Sequence, residues 1–184
     1  MPCGGHADSV SLIELRRPEV LDPARHRRDV FDSGSPLLDD WLHRFSGQSR
    51  RRDTAATWVI CNTDDEVMAF AAVAMTGINR TGAPAKLSSH APDPVPALLI
   101  ARLAVDNRVA GLGVGTSLVA HVLTTAVELN LQAACRAVVV NALDDRARSW
   151  WERLGFTPFD PTEPEQLDLY LLTADIETTL RDIQ

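Results

Sequence analysis

Three glycines at alternate positions mark the stretch of this sequence best suited to chemistry. Gly111, Gly113 and Gly115 lie between an apolar, strand-like run and an amphipathic helical pattern. Glycine leaves the main chain bare, and the first N–H groups of a helix are unpaired within it and carry its positive dipole end. The spacing therefore predicts a cradle at residues 111–116 for an anion such as a pyrophosphate.

The elements around this loop must hold it at the end of a sheet. Runs of apolar residues predict strands at 55–61, 67–75, 98–105, 133–140 and 166–172. Apolar residues at helical spacing predict helices at 116–130 and 144–154, the second with Asp144 as N-cap and Gly155 at its end. Strand, helix and strand across residues 98–140 form a right-handed βαβ unit. The expected fold class is α/β, a central mixed sheet with helices on both faces.

An N-terminal helix and a long loop complete the expected elements. Ser35 and Pro36 are typical of a helix start. The helix should bury one apolar face, made of Leu37, Leu38, Trp41, Leu42 and Phe45. Residues 77–96 contain four prolines and predict a long loop, in which His90 is a candidate general base.

Length and composition limit the architecture and the compartment. The chain has 184 residues and 45% hydrophobic content, which suits one compact domain. No apolar run approaches the roughly 20 residues of a membrane span, and residues 1–10 lack a signal-peptide core, so we expect a cytoplasmic protein. Cys3, Cys61 and Cys135 are far apart and match no metal-ligand pattern, so we expect neither a disulfide framework nor a metal site.

Charge is unevenly distributed along the chain. The net charge is −7, yet residues 1–60 are neutral overall, with nine arginines and nine acidic residues. Two arginine clusters stand out there, Arg25, Arg27 and Arg28, then Arg50, Arg51 and Arg52. Either cluster could meet phosphates if its side chains shared one face, or could simply be solvated. The acidic total argues against a broad nucleic-acid surface but leaves room for one basic groove.

Longer motifs connect these features to a known family. RLAVD at Arg102–Asp106, the glycine loop, and ALDDRARSWWERLGF at Ala142–Phe156 resemble, in this order, the GNAT superfamily of acyltransferases. Within it the chain is most similar to the TacT-type acetyltransferase toxins, through FDSGSPLLDDWL at Phe31–Leu42, PDPVPALLIARLAVD at Pro92–Asp106 and the terminal strand at 167–172. The resemblance assigns residues 28–184 to a GNAT acyltransferase domain and residues 1–27 to an N-terminal extension. It implies acetyl-CoA as cosubstrate and no metal.

The resemblance also implies roles for particular residues. Main-chain groups of Leu103, Ala104 and Val105 would bind the pantetheine arm, and the freed Val105 N–H would polarise the thioester carbonyl. The pyrophosphate would lie on the loop made of Ala110, Gly111, Leu112, Gly113, Val114, Gly115 and Thr116. Asn141 and Asp144 would lie near the pantetheine, although Asp144 is also explained as a helix N-cap. An amine would then attack the acetyl group directly, with no covalent enzyme intermediate.

Two residues depart from the family pattern. Ala110 stands where the family has a glutamine or arginine that faces the phosphates; in an alternative register, two residues shorter, Arg108 is that basic residue. Trp151 stands where many members have a tyrosine that protonates the departing thiolate. Indole donates a hydrogen bond but releases no proton near neutral pH. Loss of such an acid typically slows a reaction by about 10²- to 10⁴-fold.

Three interpretations of function follow from the resemblance. The first is an acetyl-CoA-dependent N-acetyltransferase of toxin type, with charged tRNA as the amine acceptor and an antitoxin protein as partner. The second keeps the chemistry but uses a small amine or a protein N-terminus as acceptor. The third is a catalytically impaired GNAT domain that binds acyl-CoA or a protein partner without turnover. In each case we expect a homodimer that does not enter membranes.

Overall fold

The computed structural model describes residues 13–163 and 165–182, which build a seven-stranded sheet. The strands are β1 (Glu19–Val20), β2 (Ala56–Cys61), β3 (Val67–Ile78), β4 (Val95–Val105), β5 (Ala137–Asn141), β6 (Thr157–Pro158) and β7 (Asp168–Leu172). Their order across the sheet is β1-β2-β3-β4-β5-β7-β6. Only β4 and β5 pair in parallel; all other neighbours in the described sheet are antiparallel. The mixed sheet predicted from the sequence is confirmed.

Helices cover both faces of this sheet. They are α1 (Pro36–Asp40), a π-helical turn (Trp41–Phe45), α2 (Ser46–Arg51), α3 (Ala85–Ser88), α4 (Val114–Asn130), α5 (Asp145–Arg153) and α6 (Ile176–Asp182). Short 3-10 turns lie at Arg80–Gly82, Asn107–Val109 and Thr173–Asp175. Within the described ranges, no helix combines the length and the apolar character needed to cross a bilayer.

Three buried clusters hold these layers together. The largest packs α4 on one face of the sheet, with Leu118 and Val122 against strand residues such as Ile100. The opposite face carries two smaller clusters, one centred on Phe70 beneath the segment 36–45 and one centred on Tyr170 beneath α3. Leu98 and Ile100 face α4, whereas Val95 and Ala97 face α3, as the twofold alternation of a strand requires.

A bulge in β4 interrupts that alternation. Ala72 of β3 pairs with Arg102 and Val73 pairs with Ile100, so Ala101 has no partner. Beyond the bulge Leu103 and Val105 pack toward the α4 cluster and Ala104 faces the opposite side. The extra residue thus shifts the α4-facing positions from even to odd numbers, which is how a bulge redirects side chains.

Several sequence predictions need correction. Leu37 is 72% exposed and Phe45 46% exposed, because only Leu38, Trp41 and Leu42 turn toward Phe70. Ser35 precedes α1 but its hydroxyl caps no N–H group.

The predicted 77–96 loop is shorter than expected. β3 extends to residue 78 and β4 begins at 95, and α3 lies between them. The two-residue strands β1 and β6 were not predicted. Cys61 and Cys135 are buried free thiols as expected, and Cys3 lies outside the described residues.

Candidate functional site

The sheet opens between β4 and β5 directly after the bulge. The two strands pair only as far as Ile100 and Val140, after which β4 stays with β3 and β5 stays with β7. The Asp106 N–H donates to the Met68 carbonyl of β3 at 2.8 Å. Because successive N–H groups of a strand point to opposite edges, those of Leu103 and Val105 point away from β3, into the opening. β4 therefore presents an unpaired main-chain edge there.

The N-terminus of α4 lies beside this edge. Gly113 is the N-cap, with φ 79°, and no side chain caps the helix. Ser117 is the first helical residue with a bonded N–H, which donates to the Gly113 carbonyl at 2.9 Å. Within the described residues no acceptor meets the N–H groups of Val114, Gly115 and Thr116. Three unbonded donors thus lie at the positive end of a 17-residue helix, at the position predicted for an anion cradle.

The three glycines serve two different purposes. Gly111 and Gly113 have φ near 78°, which favours glycine, and a Cβ on either would meet no atom within 4 Å. A Cβ on Gly115 would lie 3.1 Å from Val105 Cγ2 and 3.5 Å from the Trp150 ring. Gly115 therefore lets α4 approach both sides of the opening, where Val105 belongs to β4 and Trp150 to α5.

The loop between β4 and α4 is exposed on its outer side. Ala110 and Leu112 face solvent, and Leu112 is 72% exposed. Arg108, the basic residue of the alternative register, points elsewhere, since its Nε and Nη2 donate to the Asp106 carboxylate and its Nη1 to Glu66. Both acidic partners raise the pKa of Arg108, and the hydrogen bond to Asp106 is the largest cause. In the structure neither Ala110 nor Arg108 offers a side-chain donor to the cradle.

Trp151 lies deeper than the sequence prediction implied. It is 5% exposed, within the α4 cluster, and its ring contacts those of Trp150 and Phe156 at centroid distances of 4.8 and 5.0 Å. The single tyrosine of the chain, Tyr170, is buried in the α3 cluster on the opposite face, and its burial raises its pKa. Neither residue supplies an acidic hydroxyl to the opening.

The remaining predicted residues lie around the opening or beyond it. Asn141 ends β5, and its Nδ2 donates to Asp168 at 2.8 Å. Asp144 accepts the Ala147 N–H at 2.7 Å, which confirms it as the N-cap of α5. His90 is exposed in the loop after α3, with φ 54° and with Nδ1 2.8 Å from the Ser89 hydroxyl. Its role as a base stays a prediction.

One group of three buried or half-buried residues has the side-chain types of a metal site. Ligand atoms of Glu19, His26 and Cys61 lie within 4.8 Å of one another. His26 Nδ1 accepts the Asp22 N–H at 3.0 Å, so the proton of the neutral ring occupies Nε2. Burial raises the pKa of Cys61 to about 12. A metal bound here would have to displace both protons, from His26 Nε2 and from the Cys61 thiol.

The sequence analysis named Arg102 only as part of the RLAVD motif and predicted no separate role for its side chain. Its guanidinium lies 4.8 Å from the centre of the Trp41 ring, on the face opposite α4. Among residues 13–163 and 165–182 it has neither an ion pair nor a hydrogen-bond acceptor, although it is more than half buried. A charged side chain within an otherwise apolar strand was the available signal. All five N–H donors of Arg102 remain free for a ligand.

Comparison with known proteins agrees with this geometry. Residues 18–156 match the model of the acetyltransferase (GNAT) family. A tRNA-acetylating toxin of Mycobacterium tuberculosis (strain ATCC 25618 / H37Rv) is 34% identical over 152 residues, which cover 83% of this chain and 89% of the relative.

Solved structures of the AtaT toxin share the fold. AtaT complexed with acetyl-methionyl-tRNAfMet matches with a TM-score of 0.81 and 23% identity, over 90% of this chain and 98% of that chain. A tyrosine-to-phenylalanine variant of AtaT bound to the C-terminus of the antitoxin AtaR and acetyl-CoA matches with a TM-score of 0.76 and 23% identity, over 90% and 97%. At such identities the likeness concerns the fold.

The cradle makes a prediction about charge. Asn and Asp tolerate positive φ about equally, so Gly113→Asn and Gly113→Asp differ mainly by one negative charge at the helix N-terminus. We expect Gly113→Asp to weaken acetyl-CoA binding at least about tenfold more than Gly113→Asn, because the charge repels the pyrophosphate. Calorimetric titration measures both affinities. Equal affinities at low salt would contradict the placement of the pyrophosphate.

Proposed function

Because this chain belongs to the acetyltransferase (GNAT) family, we propose that it transfers the acetyl group of acetyl-CoA to the α-amino group of an aminoacyl-tRNA. The observation that carries the acetyl-transfer part is the unpaired β4 edge beside the open N-terminus of α4. The tRNA part rests on the tRNA-acetylating relative, which aligns with five-sixths of the chain. We further propose an antitoxin partner, as in the AtaT–AtaR complex, a homodimer and a cytoplasmic location.

The donor would bind along the α4 side of the opening. Its pyrophosphate would accept hydrogen bonds from the N–H groups of Val114, Gly115 and Thr116. The pantetheine arm would then add to the free edge of β4 as an extra strand, through Leu103 and Val105. Gly115 supports this path, because the absence of a Cβ leaves room for the helix terminus beside Val105 of the strand edge.

The proposed reaction is a direct transfer. The acceptor ammonium first loses a proton to solvent or to a base such as His90, and the free amine attacks the thioester carbonyl. The Val105 N–H stabilises the oxyanion that forms. The tetrahedral intermediate collapses with cleavage of the C–S bond, which releases CoA thiolate and, after loss of the second amine proton, the amide. A thiolate whose thiol has a pKa of about 8.5 is a tolerable leaving group, so water can protonate it, at a lower rate than a protein acid would.

The acceptor would approach from the face opposite α4. Arg102 lies on that face, one residue beyond the bulge, with its donors free. A desolvated guanidinium that lacks a carboxylate favours a phosphate or a carbonyl oxygen. The acceptor end of an aminoacyl-tRNA carries both groups, whereas a small polyamine carries neither.

The two arginine clusters differ in availability. Arg25 pairs with Glu19 and Asp65, Arg27 with Glu66, and Arg28 donates to the Leu42 carbonyl and the Ser46 hydroxyl. Arg50, Arg51 and Arg52 are exposed at the end of α2, with no carboxylate in ion-pair distance in the described chain. The second cluster is thus the one that supports contacts with tRNA phosphates.

An acetyl-transfer assay tests the proposed function. The purified protein and labelled acetyl-CoA are incubated with tRNA charged with each amino acid, with uncharged tRNA, and with free amino acids, polyamines and peptides. We expect label in charged tRNA alone, because only there do the amine and the phosphates occur together. Labelling of small amines instead would favour the second interpretation of function. Acetyl-CoA binding without any transfer would favour a domain that does not turn over.

Substitution of Trp151 tests whether an acid at this position speeds the reaction. Trp151→Tyr introduces a phenol that can protonate the thiolate, whereas Trp151→Phe removes the same indole without adding an acid. General acid catalysis is worth about 10²- to 10⁴-fold, so we expect the tyrosine variant to exceed the phenylalanine variant at least tenfold in single-turnover rate. Equal rates would show that the position does not reach the leaving sulfur.

We expect Arg102 to affect the binding of the acceptor but not the binding of acetyl-CoA. A hydrogen bond to a charged group is worth about 1.5 to 3 kcal/mol, so Arg102→Gln should raise the KM for charged tRNA by about tenfold or more. The KM for acetyl-CoA should stay within about twofold, because Arg102 faces away from α4. Arg25→Gln is the matched control, since that guanidinium is already paired. A parallel rise in both KM values would contradict a role in acceptor binding.

A further inference from the structure

We infer that Asp106 is a positioning residue of the acyl-CoA site: with Arg108 and Glu66 it fixes the main-chain edge of β4 and the start of the glycine loop. The inference rests on the proposed acetyl-CoA site but assigns a role to residues that would not touch the donor. It also means that Arg108 supports the loop and does not bind the phosphates, as the alternative register would require.

Asp106 collects an unusual number of hydrogen bonds. Its side chain is 2% exposed. Oδ1 accepts the Arg108 N–H at 2.9 Å and Nε at 2.8 Å, and Oδ2 accepts Arg108 Nη2 at 2.9 Å and the Asp32 N–H at 3.2 Å. Burial alone would raise the pKa of this carboxyl, but the hydrogen bonds from Arg108 and Asp32 outweigh it and lower the pKa. These hydrogen bonds therefore favour the charged form of the buried carboxyl.

The contacts of Asp106 reach distant parts of the chain. Arg108 Nη1 continues to Glu66 Oε2 at 2.7 Å, and Arg27 lies 3.3 Å from the other Glu66 oxygen. The Asn107 N–H donates to the Asp32 carbonyl at 2.8 Å, which completes a two-way link between this loop and the segment before α1. The β2–β3 hairpin, the segment before α1 and the glycine loop are thus joined through Asp106 and Arg108.

The position of this network explains what it does. Asp106 directly follows Val105, whose N–H faces the opening, and it precedes the turn that leads to Gly111 and Gly113. On the β5 side this part of β4 has no sheet partner to hold it in register. The Asp106 carboxylate replaces that support. Asp106 directly follows the strand, and its carboxylate binds the guanidinium of Arg108 in the first turn of the loop. Polar groups that hold a binding loop in place in this way set its affinity without contacting the ligand.

A double-mutant cycle on acetyl-CoA binding tests this inference. Asp106→Asn keeps the shape but removes the charge, Arg108→Gln removes the guanidinium, and the third variant carries both changes. We expect each single change to raise the Kd for acetyl-CoA at least about tenfold, as small displacements of a preorganised site do. The double change should be no worse than the worse single change, because the two residues act as a unit. Titration calorimetry below the unfolding temperature of every variant gives the values.

Glu19→Gln is the control for a purely structural effect. It removes the charge of the Arg25 pair on β1, at the far edge of the sheet, and should lower Tm without changing the Kd. Three results would overturn the inference. The first is a lowered Tm with an unchanged Kd for Asp106→Asn, and the second is additive losses in the cycle, which would indicate a direct phosphate contact by Arg108. The third is wild-type protein that binds no acetyl-CoA. Only the last of these would also overturn the proposed function.

Discussion

The site depends on one unpaired residue in β4. A strand in the middle of a sheet normally has both edges hydrogen-bonded, because a buried N–H or carbonyl group without a partner is costly. Ala101 adds a residue that β3 does not match, and β4 follows β3 away from β5 from that point on. The opening therefore costs main-chain hydrogen bonds in the protein alone. A ligand that supplies an extended chain with amide groups would restore them.

Other features of the fold follow from that opening. A helix must start close to the free edge if its N–H groups are to share a ligand with β4. Glycine at position 115 favours this approach, because a Cβ there would lie 3.1 Å from Val105 Cγ2, a tight contact. The loop between strand and helix must turn sharply, which explains the positive φ angles of Gly111 and Gly113. The end of β4 lacks lateral support and needs an anchor of another kind. The buried Asp106 carboxylate meets that need through contacts up to 74 residues away in sequence.

Much of this architecture could be predicted from sequence, for identifiable reasons. Long elements with strong periodicity, such as α4 and β3, were found because local pattern and tertiary burial agree there. The bulge was also visible in principle, since the apolar positions Leu98 and Ile100 continue as Leu103 and Val105, with an odd step between them. The strands β1 and β6 have two residues each and carry no periodic signal, so sequence could not reveal them.

The residues that sequence reasoning placed least well are those whose surroundings come from distant segments. Arg108 was the phosphate-facing residue only in an alternative register of the loop, and the fold instead pairs it with Glu66 and Asp106. The clusters 25–28 and 50–52 look alike as strings, yet among the residues that the structure describes only the first has acidic partners. Ion pairing depends on which segments are brought together, and a one-dimensional pattern contains no such information.

Burial of Trp151 changes how its substitution for tyrosine should be understood. An indole in contact with two other aromatic rings contributes packing of α5 against α4, so the position serves the core whether or not it serves the reaction. A transferase that relies on positioning and on main-chain N–H groups can lose its acid and keep most of its geometry, because those groups belong to the backbone. We therefore expect the loss of this acid to slow the departure of the thiolate and to leave donor binding intact.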